Sequence, residues 1–345
     1  MKNTTPPYGH LVKRSRKTVW LALLLLAALA AVFLISMNLG AVKLTPAQVI
    51  HTLFGGGDAR EHLILFKLRL PRIVIAVLIG GGLAVSGAIM QGLTRNPLAE
   101  PGILGINAGA GLAILIYAAY FPVVTLGTAF MMPLFALAGA MLTAVLIYSL
   151  AFRRSEGLSP TSLVLNGIGI AAGVSAAMIV ISVRLTPEKY QSVYIWLAGS
   201  ISGTTWDYVL ALLPWILVLL PYVFYKSRVL NVLSLGDKTA LGLGANLEKD
   251  RFGLLAAAVC LAAACVASGG SISFVGLIGP HLARRLVGPN YKHLLPVSAL
   301  LGALLVLIGD TIGRSVMHTG EVPTGIVVAV IGAPYFLYLL AKAKA

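Results

Sequence analysis

Ile73–Leu93 reads IVIAVLIGGGLAVSGAIMQGL, and its reading decides the class of the fold. No residue in it is charged, and it matches the roughly 20 mostly apolar residues that a helix needs to cross the hydrocarbon of a bilayer. Gly80, Ala84, Ala88 and Gly92 recur at every fourth position and so share one helix face. Lipid offers no hydrophobic drive between helices, so close backbone approach through such small residues has to supply the association. A span of this kind predicts a compact bundle of others. Two more stripes, Gly105/Gly109/Ala113 and Gly169/Gly173/Ala177, are expected to be packing faces by the same reasoning.

The whole chain agrees with its most telling stretch. Of 345 residues 58% are hydrophobic and only 11% charged, against about 25% charged in a soluble domain. More apolar sequence is present than one soluble core could hide, which excludes a soluble enzyme, a disordered chain and a nucleic-acid module. Further runs of crossing length are Val19–Ile35, Ile103–Phe121, Thr128–Phe152, Ser162–Val183, Val209–Tyr225, Phe252–Ala267, Leu294–Ile312 and Val322–Leu340. A tenth, Ser271–Val287, is weaker because Pro280 interrupts it and Arg284 and Arg285 stand near its end. Lys13, Arg14, Arg16 and Lys17 precede the first run, which is too long for a signal peptide and is not closed by a convincing A-x-A site, so it is expected to be a retained span.

Charge decides the count. If the tenth segment crosses, the loops with Arg95, Arg153, Arg154, Lys226, Arg228, Lys238, Lys249, Arg251, Arg284, Arg285 and Lys292 all share the cytoplasmic side with Lys342 and Lys344. The expectation is therefore an all-α membrane protein of about ten transmembrane helices in one bundle, both termini cytoplasmic. Residues 1–17 form a basic tail, 18–340 a single transmembrane domain with a cytoplasmic loop at 226–251, and 341–345 a second tail. The net charge of +15 then belongs to loops at the inner surface. Lys67, Arg69, Arg72 and Arg314 break the pattern by lying at outer ends.

Chemistry of its own is not visible in the chain. No GxxxxGK[ST] or HExxH occurs, and Cys260 and Cys265 are spaced for neither a disulfide nor a metal site. His281 has no ligand or catalytic partner at useful spacing and is expected to be a satisfied structural histidine. Asp310 is the one acid inside a span, and Arg314 four residues on offers an i,i+4 ion pair. The rival reading makes Asp310 a proton or sodium site of an ion-coupled secondary transporter. Thr94–Gly105, TRNPLAEPGILG, is expected to be a rigid turn at the inner surface because Pro97 and Pro101 do not suit a helix interior. Ser268–Pro280, SGGSISFVGLIGP, has too many breakers for a plain helix, and irregular backbone at that depth either packs against protein or lines a pathway. Within 226–251, Leu235, Ala240 and Leu243 are expected on one side of a short helix, with Asp237 and Lys238 facing solvent.

These residues resemble a family along nearly the whole chain: the permease subunits of type II ABC importers for iron–siderophore, haem and cobalamin, the FecCD type. The resemblance is carried by RLPR at Arg69–Arg72 continuing through IGGGLAVSGAIMQGLTRNPLAEPGILGINAGA to Ala110, by LSLGDKTALGLG at Leu233–Gly244, by SGGSISFVGLIGPHLARRLVG at Ser268–Gly288 with LLPVSALLGALLVLIGDTIGR after it, and by GEVPTGIVVAVIGAPYFLYLL at Gly320–Leu340. It implies a ten-span subunit paired with a second permease, identical or similar, and served by two cytoplasmic ATPase subunits and an extracytoplasmic substrate-binding protein. No cofactor is then bound by this chain, and ATP and magnesium belong to the partner subunits. Iron–siderophore is the implied cargo, ahead of cobalamin or haem, and the implied location is a bacterial cytoplasmic membrane. Arg69, Arg72 and Arg314 match the outward arginines that receive acidic residues of the binding protein through exposed pairs. Leu235, Gly236, Asp237, Ala240, Leu243 and Gly244 match the coupling helices that sit in the ATPase. Asn96, Pro97, Glu100 and Gly102 match the family's inner-side turn, a second possible ATPase contact. Gly242 inside the expected coupling helix, and GPNYKH at Gly288–His293, depart from the family's pattern.

Overall fold

The computed structural model describes residues 9–39, 44–121, 131–153, 157–158, 160–317 and 320–343. Arg154, Lys344 and residues 1–8 of the expected N-terminal tail lie outside them. Fifteen helices follow one another: α1 (Gly9–Asn38), α2 (Pro46–Leu53), α3 (Ala59–His62), α4 (Leu70–Thr94), α5 (Ile106–Tyr120), α6 (Met131–Ala151), α7 (Pro160–Ser182), α8 (Pro187–Leu197), α9 (Trp206–Tyr225), α10 (Ser227–Ser234), α11 (Asp237–Gly242), α12 (Leu247–Gly269), α13 (Val275–Val287), α14 (Tyr291–Val316) and α15 (Thr324–Ala343). A wide π-type stretch, Leu63–Arg69, joins α3 to α4, and a 3-10 turn, Pro101–Leu104, precedes α5. Phe152–Arg153 pairs antiparallel with Gly157–Leu158 over two residues.

Among the described residues seven helices are long and apolar enough to cross a membrane: Arg16–Asn38, Ala59–Thr94, Met131–Ala151, Thr161–Ser182, Trp206–Tyr225, Leu247–Gly269 and Tyr291–Val316. Two shorter apolar helices, Ile106–Tyr120 and Thr324–Leu339, accompany them. Each of the ten expected runs therefore contains a helix among the described residues, with residues 128–130 of the fourth lying outside them, but the helices are unequal. α13 has 13 residues, which at about 1.5 Å per residue is too short to traverse a core about 30 Å thick.

α4 is the axis of the bundle. Its most extensive neighbours are α14, α12 and α13, with α9 beside them, and α5, α6 and α7 form a second group reached through α12. α1 lies along α14. The small-residue stripes explain why these helices approach so closely. A side chain added at Gly80 would collide with the backbone of Gly302 and Ala303, and one at Gly87 with the backbone of Gly276. Gly109 meets Gly139 and Thr143 in the same way. The first two stripes are thus packing faces.

The third is not. A side chain added at Gly169 or Gly173 would meet nothing within 4 Å, and Ala177 is exposed. α7 keeps a bare face of small residues, contrary to the expectation that this stripe packs within the chain.

Two short helices fill the connection between α1 and α4. Thr45 caps α2 in a reciprocal box with Gln48, and Asp58 caps α3 in another with Glu61. The two are joined where Gln48 Nε2 donates to Glu61 Oε1 at 2.8 Å. Placing a valine at each kind of glycine separates the two stripes. Gly80→Val should overpack the α4–α14 contact and cost about 1–3 kcal/mol or more, seen as a lower unfolding midpoint in detergent. Gly173→Val should leave that midpoint unchanged.

Candidate functional site

Alternation of the long helices gathers charged residues at two ends of the bundle. At one end lie the start of α4, the ends of α1 and α14, and the start of α15. Asp310 on α14 is fully buried. Its Oδ1 accepts from Arg72 Nε at 2.9 Å and from Thr324 Oγ1 at 3.2 Å, and Arg72 Nη2 stands 2.8 Å from the same oxygen. Arg314 Nε lies 3.1 Å from Oδ2, the i,i+4 pair read from the sequence, in a Coulombic contact without hydrogen-bond alignment. Arg72 Nη1 donates to Glu321 Oε2 at 2.7 Å. Arg69 Nη1 donates to Ser36 O at 2.9 Å and to Met37 O, and Arg314 Nη2 donates to Ser36 Oγ. A single carboxylate therefore ties α4, α14 and α15, and two guanidiniums bring in the end of α1.

This geometry corrects one expectation. Arg69 is 6% exposed and Arg72 8%, and the Arg314 side chain is 7% exposed. They are not free surface cations. Arg72 and Arg314 are partnered by acids of the same chain and Arg69 by main-chain carbonyls at the end of α1, because a guanidinium drawn from water needs a charge or carbonyls to replace its hydration. The cross-helix partners Arg72 and Glu321 were not read from the sequence. The signal was present in the span count, which places Arg72, Asp310 and Glu321 at the same end.

The opposite end carries the expected coupling segment. α10 and α11 make an elbow between α9 and α12. Asp237 stays partly open to solvent, as expected, yet it is not free: its Oδ1 accepts from both Arg95, just past α4, and Arg251 near the start of α12. Asp237 thereby fastens α11 to two long helices. Ala240 is buried, while Leu235 and Leu243 are each 62% exposed and Leu241 is 58% exposed. The three expected apolar residues thus divide, Ala240 anchoring the elbow and the leucines facing outward. α11 is only six residues long and ends at Gly242. Gly236 (φ +105°) and Gly244 (φ +82°) flank it in a left-handed conformation that side chains rarely adopt. Lys226, at the junction of α9 and α10, donates to Asp250 Oδ1 at 2.8 Å.

The turn after α4 is exposed only in its first half. Arg95, Asn96 and Pro97 are exposed, and Asn96 Oδ1 accepts from Leu98 N at 2.9 Å to close the turn. Ala99 is buried, and Glu100 Oε2 accepts from Phe274 N at 3.2 Å, just ahead of α13. Gly102 sits in the 3-10 turn that follows. The breaker-rich Ser268–Pro280 begins with the end of α12, runs through Gly270 (φ +72°) and Phe274 (φ +68°), and ends inside α13. The peptide of Gly325 donates to Gly199 O at 2.8 Å beside it, so protein surrounds much of this irregular backbone.

The remaining sequence candidates do not converge. Cys260 and Cys265 are free thiols. His281 stands edge-on to Tyr335 with ring centroids 5.9 Å apart. Neither of its ring nitrogens has a hydrogen-bond partner among the described residues, so it is not the satisfied histidine that was expected. No group of three or more His, Cys, Asp or Glu among the described residues is placed to hold a metal ion.

Two outcomes test the Asp310 network. Asp310→Asn leaves Arg72 and Arg314 buried without their shared counter-charge and should cost about 3–5 kcal/mol of stability, measured as a fall in unfolding midpoint in detergent. At Glu321, burial acts to raise the carboxyl, but the Arg72 charge and hydrogen bond, Ser202 and Arg314 outweigh it and hold it below the usual carboxylate range. A carboxylate held down in the fold adds stability that is present above its unfolded value of about 4.3 and is lost as pH falls through the folded one. The unfolding midpoint should therefore fall less steeply below pH ~4.3 in Glu321→Gln than in the parent chain.

Comparison with known proteins agrees with this arrangement. Residues 25–342 match the FecCD transport family. The iron(3+)-hydroxamate import system permease protein FhuG of Bacillus subtilis (strain 168) is 48% identical over 321 residues, covering 92% of this chain and 95% of that one. The Fe(3+)-citrate import system permease protein YfmE of the same organism is 45% identical over 341 residues, covering 99% and 98%. Among solved structures, one described as "an inward-facing conformation of a putative metal-chelate type ABC transporter" superposes with a TM-score of 0.81 at 31% identity, covering 93% of this chain and 98% of that one. With a match that takes in all but its two ends, this multi-pass membrane protein belongs to the FecCD transport family.

Proposed function

We propose that the chain is the membrane-spanning permease subunit of an ATP-driven importer that carries an iron–siderophore complex across the bacterial cytoplasmic membrane. Cargo class rests on kinship with permeases named for iron(3+)-hydroxamate and Fe(3+)-citrate import. The observation that carries the mechanism is the α10–α11 elbow: Leu235, Leu241 and Leu243 stand exposed on a segment fastened to α4 and α12 through Asp237. Exposed leucines on a rigid mount suit insertion into a cleft of a soluble ATPase. Force applied there reaches the two central helices directly. The permease itself performs no bond chemistry, and ATP with magnesium is handled by two such partners.

In this reading the chain crosses the membrane ten times with both termini in the cytoplasm, residues 18–340 forming one transmembrane domain. The helices of α5, α13 and α15 length complete their crossings with flanking loop. The elbow, the Asn96–Gly102 turn and the basic loops then share the cytoplasmic side, as the positive-inside rule favours. A second permease, identical or similar, covers the bare Gly169/Gly173 face of α7, and the cargo moves between the two subunits by alternating access.

An extracytoplasmic binding protein docks at the opposite end. Arg69, Arg72 and Arg314 hold three positive charges against the two carboxylates of Asp310 and Glu321. That surplus steers an acidic partner at a distance, while the guanidiniums keep their internal contacts. Haem or cobalamin cargo is not favoured by the named relatives. Ion coupling through Asp310 is not favoured either, since two guanidiniums already occupy its carboxylate.

Vesicles holding the permease with its ATPase and binding protein provide the test. Uptake of iron–siderophore should require ATP and should not proceed on a proton gradient alone; uptake by the isolated permease would overturn the reading. Leu235→Asp with Leu243→Asp should weaken ATPase capture by about tenfold or more, the loss expected when apolar anchors are removed from an interface, and leave the unfolding midpoint unchanged.

A further inference from the structure

A cavity of about 710 Å³ opens at the elbow end of the bundle, where α9 passes into α10 beside the start of α14. Its lining divides by chemistry. Lys226, Arg228 and Lys292 are cationic, whereas Phe224 and Pro296 are apolar and lie within the helices. Lys226 is offset by Asp250 at 2.8 Å. Arg228 and Lys292 are exposed, and neither side chain has an acidic partner among the described residues. Two positive charges therefore remain uncompensated at its rim.

The backbone points the same way. α10 is eight residues long and starts at Ser227, with no side chain capping it. Its first three residues, Ser227, Arg228 and Val229, all line the cavity. The first N–H groups of a helix have no acceptor within the helix, and the dipole adds partial positive charge there. The neighbouring start of α14 differs: Asn290 accepts from Lys292 N at 3.0 Å, and Asn231 accepts from Tyr291 N at 2.9 Å. So the cavity joins an unfilled helix N-terminus to two unpaired cations, a constellation that suits phosphate oxygens.

Depth selects the kind of phosphate. α9 and α14 are both long enough to cross the bilayer, and the cavity sits where they leave it. Tyr225, 82% exposed at the mouth, has the amphipathic ring favoured at headgroup level. Phe224 and Pro296 provide an apolar surface for the first carbons of an acyl chain. From this juxtaposition we infer that the cavity is a binding site for the phosphodiester headgroup of an anionic phospholipid of the adjoining leaflet, held by Arg228, Lys292 and the first amides of α10. The lipid would wedge the joint between a crossing helix and the elbow, independently of which cargo the protein carries.

The test uses the full chain in mixed micelles of equal phosphatidylglycerol and phosphatidylcholine, with bound lipid counted by native mass spectrometry. The parent chain should retain phosphatidylglycerol over phosphatidylcholine by about tenfold or more, as two basic side chains at headgroup level would give. Arg228→Gln with Lys292→Gln should remove most of that preference, and Lys249→Gln, an exposed cation on the same end but outside the cavity, should leave it intact. If the double variant does not fold, each single variant should lower the preference by about threefold. Absence of a preference in the parent chain, its survival in the double variant, or an equal loss in Lys249→Gln would overturn the site. Binding of millimolar inorganic phosphate in phosphatidylcholine alone, lost in the double variant, would assign the cavity to a soluble anion and overturn the lipid reading.

Discussion

Close backbone contact along α4 is the constraint on which the rest of this structure depends. In lipid, burial of apolar side chains does not distinguish a packed helix from a separated one, so association rests on dispersion contacts and polar links. Glycine at 80 and 87 lets α14 and α13 come to backbone distance, and the contact places every other functional element. With α14 seated on α4, Asp310 reaches Arg72. With α13 seated on it, Phe274 meets Glu100 and the turn after α4 is drawn inward. At the far end the Arg95–Asp237–Arg251 link fixes the elbow to the same helix. One helix thus touches both charged ends.

The two ends hold their charges differently. At the Asp310 end Asp310 and the three guanidiniums are buried, with Glu321 partly exposed beside them, so their role within the chain is to fix four helices. At the Asp237 end the pair residues are partly exposed, and exposed pairs contribute little by themselves. Their value there is geometric. They hold a short helix, bounded by two glycines with positive φ, so that its leucines project away from the bundle. A stiff, ion-paired end and an opposite end with outward apolar side chains suit a protein that receives cargo on one side and force on the other.

Much of this was legible in the sequence. Runs of about 20 apolar residues register directly, and each of the ten expected runs contains a helix among the described residues, because a chain in lipid must satisfy its own backbone. The order of the charged loops separated the two ends correctly, since Arg72, Asp310 and Glu321 fall at alternate helix termini. What remained hidden depends on packing between distant residues. No periodicity reports that Arg72 rather than Arg314 supplies the main hydrogen bonds to Asp310, or that Asp237 is shared by two arginines from elsewhere in the chain. The three glycine stripes look alike as strings, yet only two meet a neighbour. α2, α3 and α8 are short and mixed in polarity, below what a search for spans can find. α13 is half-length because Phe274 turns the chain in a left-handed conformation that its sequence does not announce.

The Arg72–Asp310 bond also sets a schedule for making the protein. The two residues are 238 positions apart, and ribosomes add about 5–20 residues per second. Arg72 therefore enters the bilayer roughly 10–50 s before its partner is synthesised. A guanidinium in that interval must reach toward the headgroups for solvation. Final seating of α4 is consequently deferred until the ninth apolar run has been inserted, so biogenesis closes at the Asp310 end last, and a nascent chain truncated before α14 would be left with an Arg72 guanidinium lacking its Asp310 counter-charge.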